Sequence, residues 1–332
     1  GEARLLLGEA LLEDEDFVSA EKELGRALEL KQPQERVLPA YVRSMLAQGK
    51  NQAVVTEVEK HKLFNPQAVA ATQTLLGDAQ TQLGNRPRAR DAYAAAVAAV
   101  PGYPRARLGE ARLAAVEGRM DEALKQIDEV IAGEPKLAEA KALRADILLA
   151  KGDRKGARKA LEEAIAANER YLPARLTLVS LLTDEREFDA AAKLIESTRK
   201  VAPGELRVAY SEAVLEFRRG NMGKAREQVQ QVLKYAPEYV PALVLAGAVD
   251  LQDRQFTAAE AHLRKAVARA PGHLGARQLL VQTYLQGGQP VRAKDALQPL
   301  IERGMPDDAR SLLLAGETYL ANSDVQRATR FF

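Results

Sequence analysis

The chain has 332 residues, 46% hydrophobic and 28% charged, with no cysteine, no tryptophan and a net charge of +2 from 48 basic and 46 acidic side chains. The absence of cysteine excludes disulfides and thiolate metal sites while leaving the compartment open. The near-balance of charge argues against a dedicated binder of phosphate backbones, so nucleic acid is not an expected partner, and no run approaches the ~18 apolar residues of a membrane span.

From the N-terminus the predicted elements fall into pairs of helices, each pair marked by the same few small residues and prolines. The first pair carries Gly8, Ala20 and Pro33, and the second Gly49, Val54 and Pro66. The third has Gly77, Gly84, Ala89 and Pro101; the fourth Ala111, Gly118, Ala123 and Pro135; the fifth Ala145, Gly152 and Ala157, with Glu169 where the others have proline. The sixth has Ala191 and Pro203, the seventh Ala213, Gly220, Ala225 and Pro237, and the eighth Gly247, Ala259 and Pro271. The ninth has Gly288, Ala293 and Pro306, and the tenth Gly316 and Ala328. The series from Ala20 to Ala328 steps by 34 or 35 residues without a break, so ten units fit the chain, starting near 1, 35, 70, 104, 138, 172, 206, 240, 274 and 309.

Within a unit the apolar residues recur at helical spacing, as in Leu108, Ala111, Leu113, Ala115 and Val116, then Ala123, Leu124, Ile127, Val130 and Ile131. Two antiparallel helices per unit follow. Gly or Ala at the eighth place (Gly8, Gly77, Ala111, Ala145, Ala213, Gly247, Gly316) is expected to let the second helix approach closely through the alanine of the unbroken series. The glycines at 49, 84, 118, 152, 220 and 288 lie where the chain leaves the first helix and suit a left-handed cap. Proline stops the second helix before the next unit begins. No pair can bury its apolar face alone, so stacking of successive pairs supplies the core. The expected architecture is an all-α superhelix, a single solenoid over 1–332 of about ten antiparallel helix-pair repeats. Because the chain opens without Met inside a first helix and stops at Phe331 and Phe332 inside a second, it is expected to be part of a longer protein.

These positions carry a family resemblance. The unit VPALVLAGAVDLQDRQFTAAEAHLRKAVARAPG, 240 to 272, matches the tetratricopeptide repeat pattern at Gly247, Phe256, Ala259, Leu263, Ala266 and Pro271, and the chain resembles tetratricopeptide repeat proteins over its entire length. It departs from the pattern in lacking tryptophan at the fourth place, in Val54 and in the missing proline of the fifth unit. A narrower resemblance lies in the order of the unequal units. ARLLLGEALLEDEDFVSAEKELGRALEL with ERVLPAYVRSMLAQGKNQAVV, and PGHLGARQLLVQTYLQGGQPVRAKDALQPLI followed by LLLAGETYL, look like the repeat lipoproteins of bacterial exosortase and PEP-CTERM protein-sorting systems. That resemblance implies a periplasmic scaffold linked to exopolysaccharide production and surface-protein sorting. Its outer-membrane attachment would be a lipid anchor outside the present sequence.

Few residues invite a catalytic reading. His61, His262 and His273 lack the i, i+4 spacing and companions of a zinc-binding helix. GNMGKA at 220 to 225 is too short between glycines for a phosphate loop and has no Ser or Thr after Lys224. The pairs Asp14 and Asp16, and Asp307 and Asp308, fall at turns and helix starts, where capping accounts for them. Arg86, Arg88 and Arg90 belong to a solvated surface. The chain is therefore expected not to be an enzyme and to need no metal or cofactor.

Function then rests on the surface that first helices turn to the concave side. Places 2, 5, 9, 12 and 13 of each unit, counted from the starts above, should line that groove. They contribute Glu2, Glu9 and Glu13, then Arg36 and Arg43, later Arg105 and Arg112, then Glu139 and Asp146, in alternating sign, so that neighbouring units can pair their charges. The Lys and Asn pattern of a carboxylate clamp is missing, as is an asparagine ladder. The candidate binding residues are Arg207, Tyr210, Phe217 and Arg218, then Val244 and Leu251, then Gln278, Gln282 and Gln286 at i, i+4, i+8. Aromatic and arginine anchors beside apolar and amide groups suit an extended peptide or a partner protein. The alternatives are contact with an exported polysaccharide, as a helper domain of an export or synthase complex, or a substrate-docking arm of a glycosyltransferase.

Overall fold

Alanine, leucine and straight-chain polar residues favour helix, and the breaks fall where glycine or proline interrupts them. In the computed structural model, which describes residues 1–304 and 308–332, twenty helices alternate as first and second members of pairs. The ten first helices are α1 (Glu2–Glu13), α3 (Gln34–Ala47), α5 (Pro66–Gln82), α7 (Pro104–Val116), α9 (Ala138–Ala150), α11 (Leu172–Asp184), α13 (Leu206–Arg219), α15 (Val240–Gln252), α17 (Leu274–Gln286) and α19 (Ala309–Ala321). The second helices are α2 (Phe17–Glu29), α4 (Asn51–Glu59), α6 (Arg86–Ala99), α8 (Met120–Gly133), α10 (Arg154–Ala167), α12 (Phe188–Val201), α14 (Met222–Tyr235), α16 (Phe256–Arg269), α18 (Pro290–Glu302) and α20 (Val325–Ala328). Pro306 and Asp307, singled out in the sequence, lie outside the described residues.

The chain divides into two compact units, residues 1–174 and 175–332. In the first, α1 packs on α2, α3 on α4, α5 on α6, α7 on α8 and α9 on α10, while successive first helices also touch one another directly. The second repeats the scheme with α13 on α14, α15 on α16, α17 on α18 and α19 on α20. The cores are correspondingly serial. Leu5, Leu24, Ala27 and Val37 belong to one cluster, and Leu108, Ile127, Val130 and Leu143 to another further along the chain. Each unit's apolar face is closed by the following pair.

The residue that needs the small eighth place differs from expectation. A methyl added to Gly8 would collide with Leu24, one added to Gly247 with Leu263, and one added to Gly316 with Phe332. The room is therefore used by the side chain at place 24, one helical turn beyond the alanine series, because that side chain lies across the first helix. The alanines themselves are buried where the helices come closest: Ala20, Ala89, Ala123, Ala157 and Ala191 are fully inaccessible. The extreme case is Tyr93. Its ring, 1% exposed, occupies space left by both Gly77 of its own unit and Gly109 of the next.

The cap residues are more uniform than the glycines suggested. All ten units place a left-handed residue at place 15. Six are glycines, with φ from 68° to 86°, and the others are Glu15 (59°), Arg186 (62°), Arg254 (57°) and Ser323 (59°). The turn demands this geometry whatever the residue, and a residue with a Cβ adopts it at a cost of about 1–2 kcal/mol. The prolines also split into two roles. Pro101, Pro135, Pro203, Pro237 and Pro271 follow the ends of second helices, whereas Pro33 caps α3 and Pro66 opens α5. A missing N–H is harmless at the opening of a helix, and Asn65 there accepts hydrogen bonds from the amides of Gln67 and Ala68.

Replacement Arg254→Gly should stabilise the chain by roughly 0.5–1 kcal/mol, since relief of left-handed strain outweighs the added freedom of the unfolded chain. Urea midpoints measured beside Gly152→Arg, which should lose about as much, check this. Gly77→Ala should destabilise by about 1–3 kcal/mol through overpacking against Tyr93. In a Tyr93→Val background, which copies the Ala213 and Val229 pair of the seventh repeat, Gly77→Ala should cost much less, and equal losses in both backgrounds would show that the ring is not the obstacle.

Candidate functional site

The groove places converge on two cavities, one in each unit. The first, about 280 Å³, is walled by Glu9, Leu12 and Glu13 of α1, Arg36, Pro39, Ala40 and Arg43 of α3, Ala71, Thr74, Leu75 and Asp78 of α5, and Tyr103 and Arg105 at the head of α7. All but Ala40, Leu75 and Tyr103 sit at places 2, 5, 9, 12 or 13. The second, about 290 Å³, is formed by Gln278, Gln282, Leu285 and Gln286 of α17 with Arg310, Leu313, Leu314 and Glu317 of α19. Leu314 alone departs from those places. One face of the first helices thus makes the concave wall in both units.

Charges in the first groove pair across repeats as their alternation implied. Arg36 grips Glu9 through two bonds of 2.9 and 2.7 Å and reaches Glu2 at 3.0 Å. Arg43 stands 3.7 Å from Glu13, and Arg112 stands 3.6 Å from Glu139. Such exposed pairs are screened by solvent and contribute little to stability. Asp78 differs. Its Oδ1 accepts a 2.6 Å hydrogen bond from the Tyr93 hydroxyl, and among the described residues no ion pair engages it. Burial pushes its carboxyl above the usual range, with the Tyr93 bond and the charge of Arg112 pulling the other way. Burial likewise pushes the Tyr93 phenol up, and the Asp78 charge adds to the effect.

The residues singled out from sequence fall in two groups. Gln278, Gln282 and Gln286 line one cavity, as their spacing implies. Gln278 is nearly buried, 7% exposed, its amide donating to Ser311 Oγ at 2.8 Å, while that hydroxyl donates to Asp308 at 2.6 Å. In the other group, Arg207 pairs with Glu205 next to it and Arg218 lies 3.5 Å from Asp184. Tyr210 meets Tyr239 edge-on at 5.6 Å, and Phe217 packs partly buried against the core of α13 to α15. Val244 is partly buried beside Leu243 and Ala266. Leu251 is a core residue, packed in the cluster with Ala259, Leu263 and Val281, because the following pair covers place 12 of α15. They therefore do not share one pocket.

The remaining suspects have structural employment. His61 meets Glu57 at 3.0 Å, His262 meets Asp250 at 3.0 Å, and His273 accepts the Ala276 amide as the cap of α17. Asp16 and Asp308 cap α2 and α19, Asp14 ends α1, and Gly220 is the left-handed end of α13. Arg90 pairs with Glu117. Among the described residues no group of three or more His, Asp or Glu is placed to hold a metal ion, and no helix is long and apolar enough to cross a membrane.

Sequence models of the tetratricopeptide repeat match the chain at residues 74–138 and 210–273, and at 148–215 and 250–316. The chain is built from tetratricopeptide repeats. No curated protein matches it in sequence. Among solved structures it is similar to a tetratricopeptide repeat protein from Parabacteroides merdae, with a TM-score of 0.54 and 20% identity over 85% of this chain and 98% of the other. It is also similar to PilW, described as a widely conserved type IV pilus biogenesis factor (TM-score 0.54, 20% identity, 58% of this chain and 90% of that one). A third is the Cut9-Hcn1 hetero-tetramer of the APC/C (TM-score 0.54, 13% identity, 99% and 85%). At these identities the likeness is one of fold.

Sequence reasoning passed over Asp78 and Tyr93, although each occupies a numbered place of the tetratricopeptide unit. Asp78 is place 9, and Tyr93 is the sole aromatic among Leu24, Val58, Ile127, Leu161, Ile195, Val229, Leu263 and Leu297 at place 24 before Phe332. A tyrosine at a place otherwise aliphatic until the last repeat, with glycine at the facing place 8, was the available signal. A raised carboxyl means that charged Asp78 costs stability. That penalty is absent at pH below the unfolded carboxyl range and grows as pH rises through the folded one. Asp78→Asn should therefore raise the melting temperature at pH 7, with the gain shrinking as the pH is lowered through 4. A uniform gain or a loss at neutral pH would contradict this account of the carboxylate.

Proposed function

We propose that the chain is a non-catalytic protein-interaction scaffold that holds an extended segment of a partner protein along the concave face of its first helices. Support comes from the convergence of places 2, 5, 9, 12 and 13 on a walled groove in both units. Backbone order on this face is supplied by helix stacking, so a partner segment alone bears the ordering cost of binding. In the first unit the wall mixes aliphatic and charged groups. In the second it offers Gln278, Gln282 and Gln286 beside Leu313, which is 50% exposed. Arg207, Tyr210, Phe217, Arg218 and Val244 belong to the same proposed surface, Tyr210 and Phe217 as partly buried aromatic anchors and the two arginines as polar contacts. Leu251 supports it from the core.

A place in surface-protein sorting and exopolysaccharide production, on a periplasmic lipid-anchored parent protein, rests on the sequence resemblance alone. Neither the family matches nor the solved neighbours add to it.

Arginine stands at place 2 in Arg36 and Arg105 and at place 9 in Arg43 and Arg112. Ala71→Arg and Gln282→Arg should therefore fold while filling the grooves. Peptides selected on the full chain from a random library should bind it with measurable affinity and lose at least tenfold in whichever variant fills their groove. Val18→Arg, at a residue 68% exposed on α2, should leave binding unchanged. Binding that is indifferent to both groove substitutions would place the interaction elsewhere and defeat the proposal.

A further inference from the structure

Among the described residues Asp78 is the one carboxylate on the first cavity that no arginine meets at ion-pair distance, Arg112 and Arg105 acting on it only from further away. Of the three acids on that wall, Glu9 is held by Arg36 and Glu13 faces Arg43, and Arg36 takes Glu2 as well. Arg105, the remaining cation, is exposed at the rim and forms no ion pair with Asp78 within 4 Å. The Tyr93 hydroxyl fixes Asp78 Oδ1 from the core side, while a carboxylate offers about four acceptor positions. Acceptor capacity thus remains toward the cavity. The same cavity is lined by Leu12, Pro39, Ala40, Ala71 and Leu75, an aliphatic wall. A long basic side chain has this division of character, an apolar stem ending in a cationic donor.

We propose that the first cavity selects a lysine or arginine side chain of the bound partner segment, with Asp78 accepting its charged head and Tyr93 acting as the positioning residue that aims the carboxylate. The inference rests on the peptide-binding reading above and adds the side-chain class it prefers. Tyr93 holds this role because Gly77 and Gly109 leave space for its buried ring and Thr81 Oγ1 lies 3.4 Å from its hydroxyl, so that the donor of the 2.6 Å bond to Asp78 is fixed in place. Desolvation of Asp78 is what a cationic ligand would relieve. An apolar ligand would seal the charge in and be rejected. Asp146, two units on, likewise has no ion-pair partner among the described residues, but it is an exposed residue and has no pinning hydroxyl, which makes it the natural control.

The test uses acetylated, amidated random decapeptides selected on the full chain. The selected peptides should be enriched in Lys or Arg at one position, and replacing that residue by norleucine should weaken binding at least tenfold. The same replacement should matter less than threefold in Asp78→Asn. Tyr93→Phe, which keeps the ring and removes the hydroxyl, should give an intermediate discrimination with circular dichroism unchanged, and Asp146→Asn should discriminate like the parent chain. Selected peptides with no basic preference, or a preference that survives Asp78→Asn or vanishes instead in Asp146→Asn, would overturn this inference while leaving the scaffold reading intact. A library that returns no binder defeats the scaffold reading, and this inference with it.

Discussion

Two helices joined by a short turn can lie side by side only if the side chain crossing from one finds room on the other. In this chain that room is made at place 8 for the residue at place 24. Glycine serves where place 24 holds Leu24, Tyr93, Leu263 or Phe332, alanine where it holds Ile127, Leu161 or Val229, and valine where it holds Val58, Ile195 or Leu297. The aromatic rings meet glycine in both cases, while leucine is accommodated by glycine, alanine or valine, so the fit is adjusted pair by pair. Everything else is downstream of that fit. Second helices pack behind, first helices come edge to edge, and the same five places emerge on the concave wall.

The turn imposes a second condition that acts on backbone rather than side chains. Place 15 is left-handed in all ten repeats, so the connection has one length and one geometry. Glycine satisfies it without strain, yet four repeats use Glu, Arg or Ser. Those four show that the geometry is dictated by the packing of the pair and merely favoured by glycine, since a local preference alone would have let the turn change shape.

Periodicity made much of this legible without coordinates. An all-helical fold of about ten helix pairs followed from a period of about 34 and the helical repeat. What escaped was whatever depends on which neighbour a side chain meets. Leu251 occupies a groove place by counting, but the next pair covers it. The need for small residues at place 8 was visible, while the side chain that fills the space was assigned one turn away from its true position. Pro66 fits the ruler of helix stops and yet opens α5, because α4 ends early at Glu59 and an irregular stretch intervenes. Counting treats repeats as equal, and the errors fall where they are not.

A repeat protein built this way has little freedom to acquire specificity. Places 8, 15, 20 and 24 are committed to stacking and turning, and most charges on the wall cancel against the neighbouring repeat. The third repeat escapes this by recruiting a stacking place. Tyr93 fills the core as an aliphatic residue does elsewhere, and its hydroxyl extends from the core to a carboxylate on the groove. A glycine on each side is the structural condition for that arrangement, and the raised carboxyl of Asp78 is its energetic signature. A polar link between core and groove that stacking alone does not require is a departure from repeat consistency of the kind expected where a site is maintained against stability.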